Sequence, residues 1–126
     1  MPFIDTSKLK VIERKSGWFG RYFHSPNMTF AHYEFKKGSS IRKHFHEQEE
    51  VWTVIEGELE ITIAGKKKRA KPGIAGIVPS NTPHSVKALI DGNAIVVDYP
   101  TRADHRGTEE HREVKSKNNS GRRPRL

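Results

Sequence analysis

Three histidines and a glutamate stand at spacings that suit a single metal ion. His44 and His46 are separated by one residue. In a strand alternate side chains share a face, so the two imidazoles start roughly 7 Å apart at Cα and can converge on one ion. Glu50 has the same parity, but on an unbroken strand it would lie about 13 Å beyond His46, whereas a ligand atom must come within about 2 Å of the ion. The chain is therefore expected to reverse at Glu47-Gln48-Glu49 and bring Glu50 back alongside on the next strand. His84 opens a further strand after Asn81-Thr82-Pro83, and a rigid turn just before a ligand suits a site of fixed geometry. The chain has no cysteine, which excludes disulfides, thiolate zinc sites, iron–sulfur clusters and cysteine nucleophiles. Any transition metal must be held by imidazole nitrogen and carboxylate oxygen. Fe, Mn, Co, Ni, Cu and Zn all accept that donor set, and affinity alone does not choose among them.

The elements that must position these groups read as short strands broken by turns, with no helical period. Strands are expected over residues 8–13, 18–23, 29–35, 41–46, 50–55, 59–63, 66–70, 74–78, 84–89 and 94–99. Thr29, Ala31, Tyr33 and Phe35 fall on one face of their strand, and Phe30, His32 and Glu34 on the other. Ala64-Gly65 reads as a hairpin turn, and Asp91-Gly92-Asn93 as a turn across which the last two strands pair. Many short strands at near-regular spacing point to an all-β sandwich or jelly-roll barrel. The 126 residues, 33% of them hydrophobic, suit one domain with a polar excess. That excess gathers at the end: residues 101–126 contain almost nothing apolar beyond Val114 and Leu126. Such a segment cannot offset its ordering entropy by burial, so a barrel over residues 1–100 and a disordered basic tail over 101–126 are expected.

With these residues in place, the sequence resembles the cupin superfamily. Gly38, His44, His46, Glu50 and Gly57 match the spacing of the first cupin motif, and Gly73, Pro79, Asn81 and His84 resemble the second. Asn81 stands where the family usually has glycine, and asparagine is the best substitute in a left-handed turn. Ile74 and Ala88 also depart from the family pattern, but no ligand position does. The resemblance covers roughly residues 8–100. It implies a double-stranded β-helix barrel with a divalent metal on His44, His46, Glu50 and His84, and commonly a homodimer. It does not select a reaction, since dioxygenases, isomerases, lyases and plain binding proteins share the fold.

Trp52 and Val54 share the parity of Glu50 and are expected to line a substrate pocket beside the metal or simply to fill the core. His32, a candidate general base, and Tyr33 and Asp98 are the remaining candidates for catalysis. A net charge of +8 could attract anions, and half of the excess lies in residues 101–126. Lys66-Lys67-Lys68-Arg69 is read as a solvated edge strand, where lysine discourages unwanted pairing. No aromatic residue is interleaved with the basic runs, so nucleic-acid binding is not expected. No secretory signal and no membrane span are visible, and a cytoplasmic location is expected. The leading functional expectation is a metal-dependent enzyme acting on a small oxygenated molecule, an oxidoreductase of dioxygenase type or an isomerase or lyase. The alternative is a cupin that binds a small molecule without turning it over.

Overall fold

A computed structural model describes residues 3–103. After a 3₁₀ turn at Thr6–Lys8, eight strands follow: β1 (Ile12–Lys15), β2 (Trp18–His24), β3 (Thr29–Phe35), β4 (Ser40–His44), β5 (Glu49–Ile63), β6 (Lys66–Ala70), β7 (Ala75–Val78) and β8 (His84–Tyr99). They pair antiparallel in the order β1-β2-β3-β8-β5-β6, with β4 on β8 and β7 on β5. The architecture is an all-β barrel. Among the described residues no helix is long and apolar enough to cross a membrane.

The alternation expected for residues 29–35 is the alternation observed, with Thr29, Ala31, Tyr33 and Phe35 buried. Trp18, Tyr22, Tyr33, Phe35 and Trp52 form the aromatic part of the core. Tyr33 stacks on Trp52 at 5.7 Å between ring centroids, and Trp18 packs edge-on to Trp52 at 6.1 Å. Leu59, Ile61, Val86 and Ala88 fill the other end of the barrel.

Two pairs of expected strands turn out to be single long ones. Residues 50–55 and 59–63 are continuous in β5, and residues 84–89 and 94–99 are continuous in β8. The halves of β8 therefore do not pair with each other across Asp91-Gly92-Asn93, as the turn chemistry suggested. One half pairs with residues 58–63 of β5 and the other with residues 49–56. The reason is steric. Gly57 and Gly92 lie where the two backbones cross almost in contact, and a Cβ on either would strike the opposite main chain at Asp91 O or Glu56 O. Glycine there serves the close approach and a set of register shifts between Val54 and Leu59, not a hairpin. Those shifts also change which residues of β5 face inward: Glu50, Trp52 and Val54 before Gly57, but Leu59 and Ile61 after it.

The packed chain also runs further than expected. Gln48 Nε2 donates to Thr101 O at 3.1 Å, Arg102 N donates to Thr29 Oγ1 at 2.8 Å, and Arg102 is only 2% exposed. Residues 101 and 102, on the tail side of the boundary expected at 100, are thus tied to the barrel by polar contacts. The tail expected over the remaining residues lies outside the described residues.

Candidate metal centre

The centre is assembled from the end of β4, the turn that follows, and the starts of β5 and β8. His44 closes β4, and its Cα is in register with that of His84 at the start of β8. The chain then reverses over residues 45–48, earlier than the reversal expected at Glu47-Gln48-Glu49, because β4 ends at His44. His46 lies in this turn, and its carbonyl accepts from the Asn81 N–H at 2.7 Å, tying the turn to the loop that delivers His84. Asn81 adopts the left-handed conformation at φ 57°, the role inferred for it. Glu50 follows on β5 and is buried.

One donor atom from each of His44, His46 and His84 lies within 4.8 Å of the others. A second such group joins His46 to Glu50 and Asp98. Glu50 Oε1 stands 2.6 Å from His46 Nε2 and 3.4 Å from His84 Nε2, so the carboxylate bridges the two groups. Ligands on opposite sides of one ion are about 4 Å apart if each is about 2 Å from it, so these spacings are those of a single metal site.

The hydrogen bonds decide which ring atoms face inward. His44 Nδ1 contacts Arg42 O at 2.9 Å, His46 Nδ1 contacts Gln48 O at 3.1 Å, and His84 Nδ1 contacts Thr82 O at 2.8 Å. A carbonyl can only accept, so each Nδ1 carries a proton and donates, and whenever the ring is neutral its lone pair lies on Nε2. These three Nε2 atoms and Glu50 Oε1 are buried and make no hydrogen bond of acceptable geometry, despite the short His46–Glu50 approach. Buried polar atoms are rarely left in that state. Backbone carbonyls that fix the tautomer of a ligand histidine are the usual supporting shell of a metal site. The residues present fit a divalent ion bound through three imidazoles and one carboxylate.

Electrostatics agree. Burial pushes the His44 imidazole down to about 4, outweighing the Arg42 carbonyl that favours its proton, so the ring is neutral at pH 7. Burial alone would raise the Glu50 carboxyl, but in the metal-free protein a proton on Nε2 of His46 or His84, donated toward Glu50 Oε1, more than offsets it and holds the carboxyl well below the usual range. Its other oxygen, Oε2, accepts the Trp52 indole N–H at 2.5 Å, which orients Oε1 toward the imidazoles.

Trp52 and Val54 both face the interior on β5, next to Glu50. Tyr33 lies behind Trp52, and its hydroxyl is 3.4 Å from that of Tyr22. Burial, then Tyr22, raises its phenol well above the usual value. Asp98 is buried beside the cluster, its Cα partner across the sheet being Glu50. His32 is not brought to the site. It has the parity of Phe30, opposite to that of Tyr33, and packs edge-on to Phe23 at 5.4 Å on the outer face. Burial, then Arg21, lowers its imidazole.

A family model described as the cupin domain matches residues 31–100. The chain belongs to the cupin family. No curated protein matches this cupin. Among solved structures it is similar to KdgF from Halomonas sp., with 26% identity and a TM-score of 0.77 over 82% of this chain and 97% of that one. It is also similar to an RmlC-like cupin from Shewanella frigidimarina, with 22% identity and a TM-score of 0.78 over 82% and 95%. A variant of oxalate decarboxylase from Bacillus subtilis shares 23% identity and a TM-score of 0.70 over 77% of this cupin but 29% of its own chain. The last two likenesses show the fold alone.

One residue at the centre escaped the sequence. Arg102 NH1 stands 3.5 Å from Asp98 Oδ2 and 3.9 Å from Glu50 Oε1. It opens a polar stretch, and nothing in its local composition distinguishes it from the arginines that follow.

Proposed function

We propose that this cupin holds one divalent transition-metal ion on His44, His46, Glu50 and His84, in a double-stranded β-helix barrel, and uses it to transform a small oxygenated molecule. The observation that carries the reading is the set of four buried donor atoms without hydrogen bonds, behind which every Nδ1–H is already engaged. When bound, the ion would polarise or orient oxygen atoms of the substrate at the positions the protein leaves open. With four protein ligands, an octahedral ion keeps two. The chain's own contribution is to hold the ligands at fixed tautomers, to keep Glu50 ionised, and to wall the site with Trp52 and Val54 so that water is excluded. A dioxygenase, an isomerase and a lyase are all compatible with this, and Fe, Mn, Co, Ni, Cu and Zn all fit the donors.

Elemental analysis of protein purified without added metal, followed by assays against diketones, phenols and keto acids, tests the reading. Near-stoichiometric metal with oxygen uptake or substrate loss supports it. Metal-loaded protein that changes no member of the panel turns the choice to the second reading, a cupin that binds without turnover. The position of His32 favours that second reading, because the one histidine expected to act as a base faces away. Ligand-induced thermal stabilisation without product would identify it.

We also propose a homodimer formed through the outer face. Ile77, Val51, Val97, Phe30 and Phe23 stand in one register row across β7, β5, β8, β3 and β2. Phe23 and Phe30 stack at 4.9 Å. Light scattering on the protein and on Ile77→Glu tests this, with loss of the dimer expected in the variant.

A further inference from the structure

A second polar cluster, on β1 to β3, lies outside the set of metal ligands. The pairing of β1 with β2 runs from Ile12↔Gly20 and Glu13↔Phe19 to Lys15↔Trp18, which leaves Arg14 as the extra residue of a β-bulge on an edge strand. A bulge re-aims a side chain. Here the Arg14 guanidinium carbon lies 4.9 Å over the centroid of the buried Tyr22 ring. Gly20 makes room for that ring, since a Cβ there would strike the Tyr22 hydroxyl at 2.6 Å. The same hydroxyl is 3.4 Å from that of Tyr33, which stacks on Trp52, the partner of Glu50.

This cluster is rich in donors. Arg14 is half-buried and, among the described residues, makes no ion pair and no hydrogen bond. The carboxylate next to it in sequence, Glu13, accepts instead from the Gly17 N–H at 3.2 Å. The Trp18 ring lies 5.7 Å from that of Tyr33, and its indole N–H is buried without an acceptor. Burial, then Tyr22, raises the Tyr33 phenol well above its usual value, so it keeps its proton at neutral pH. Arg14 and, with opposite sign, Glu50 both act on that phenol, which links the arginine to the metal centre electrostatically. At the metal centre buried acceptors face one another, an arrangement that suits a cation. Here a guanidinium without a counter-ion stands among donors, an arrangement that suits an anion. Its planar fork matches a carboxylate, and one guanidinium balances the single charge of a carboxylate, not the two of a phosphate dianion.

We propose that Arg14 is the anion-recognition residue of this barrel, its guanidinium receiving the carboxylate of a molecule whose far end carries an oxygen to the metal. This deepens the metal-dependent reading above and rests on it. The ligand class is then a carboxylic acid with a second oxygen function, and Arg14 is a specificity residue supplied by the bulged edge strand.

The test uses the full chain loaded with Zn(II), after calorimetry has established one ion per chain. 6-Hydroxyhexanoate, 6-hydroxyhexanamide and inorganic phosphate are then titrated separately; the amide keeps the shape of the acid without its charge. The acid is expected to bind at least about tenfold more tightly than either of the others, as a charge-assisted fork would give. In Arg14→Gln its advantage over the amide should shrink to about twofold while the affinity of the amide stays unchanged. Arg14→Lys keeps the charge without the fork and should retain part of the advantage. Equal affinities for acid and amide in the unmodified protein would overturn the proposal whether or not any variant folds. So would phosphate binding as tightly as the acid. An undiminished advantage in folded Arg14→Gln would place the carboxylate elsewhere, and a parallel loss for acid and amide would make Arg14 a packing residue only; either result overturns the proposal. Failure to take up Zn(II) would remove the metal reading together with this one, whereas uptake without preference for the acid removes this one alone.

Discussion

Two buried glutamates on β5 are eight residues apart and are treated in opposite ways. Glu58 lies at the register shift near the middle of the strand, where Arg69 of β6 donates to its Oε1 at 3.1 Å and stands 3.0 Å from its Oε2. The Arg69 side chain is 64% exposed, so that ion pair opens directly to water. Glu50 has its Oε2 taken by Trp52, while its Oε1 points at two imidazole nitrogens that are themselves without partners. Glu58 Oε2 makes no hydrogen bond either, but the Arg69 guanidinium 3.0 Å away gives the first carboxylate a counter-charge from the protein itself. Around the second it has arranged acceptors facing acceptors, which is stable only with a cation between them. On the proposed reading, the contrast separates a structural ion pair from a metal ligand on the same strand.

The largest effect that would sharpen this contrast comes from the imidazoles. His44→Ala combined with His84→Ala removes two of the four donors and should abolish measurable Zn(II) or Mn(II) uptake by calorimetry. Retained uptake would place the ion elsewhere. Next comes Trp52→Phe, which keeps the aromatic packing on Tyr33 but frees Glu50 Oε2. A residue that orients a ligand is worth about 10–100-fold in metal affinity, and a loss in that range is expected by competition with a chelator. An unchanged affinity would mean that Glu50 needs no such support.

The metal-free protein should reveal the same centre through pH. His44 titrates at about 4 in the folded chain and near 6.5 when unfolded. The unfolded state therefore takes up protons first, and the stability contributed by the neutral ring is complete above pH 6.5 and lost as pH falls to about 4. Glu50, held below its ordinary value of 4.5, adds a loss of the same sign at lower pH. Urea midpoints should fall between pH 7 and pH 4, more steeply than in His44→Gln. Identical slopes would contradict the burial assigned to the ring. A smaller effect is expected from Asn81→Ala, which puts an ordinary Cβ into a left-handed turn and should cost about 1–2 kcal/mol in denaturant unfolding.

Much of this was legible in the sequence because metal ligation demands convergence. The impossibility of reaching Glu50 on an unbroken strand required a reversal, expected at Glu47-Gln48-Glu49; the chain turns two residues earlier, over 45–48, so that His46 sits in the turn and not on a strand with His44. Alternation placed Trp52 and Val54 inside, where they are buried, and separated Tyr33 from His32 without saying which face is inner. It also held the answer for His32, since a residue of opposite parity to Tyr33 faces outward once Tyr33 is known to be buried. Asp91-Gly92-Asn93 misled because turn residues report a backbone conformation, not its purpose. Here glycine allows two long strands to cross, a contact between residues 34 or more apart in sequence that no local pattern contains. Arg102 was hidden for a related reason: its burial depends on Thr29 and Gln48, not on its neighbours.

The most direct measurement is a paired metal titration of Glu50→Gln and Glu58→Gln against the unmodified protein. Glu58→Gln should keep one ion per chain at unchanged affinity, with stability altered by only about 1 kcal/mol, as expected when the partner arginine is exposed. Glu50→Gln should weaken binding by more than about 100-fold, beyond the range of a supporting residue. Equal affinity in the two variants would contradict the assignment of Glu50 as a ligand and, with it, the distinction between the two carboxylates.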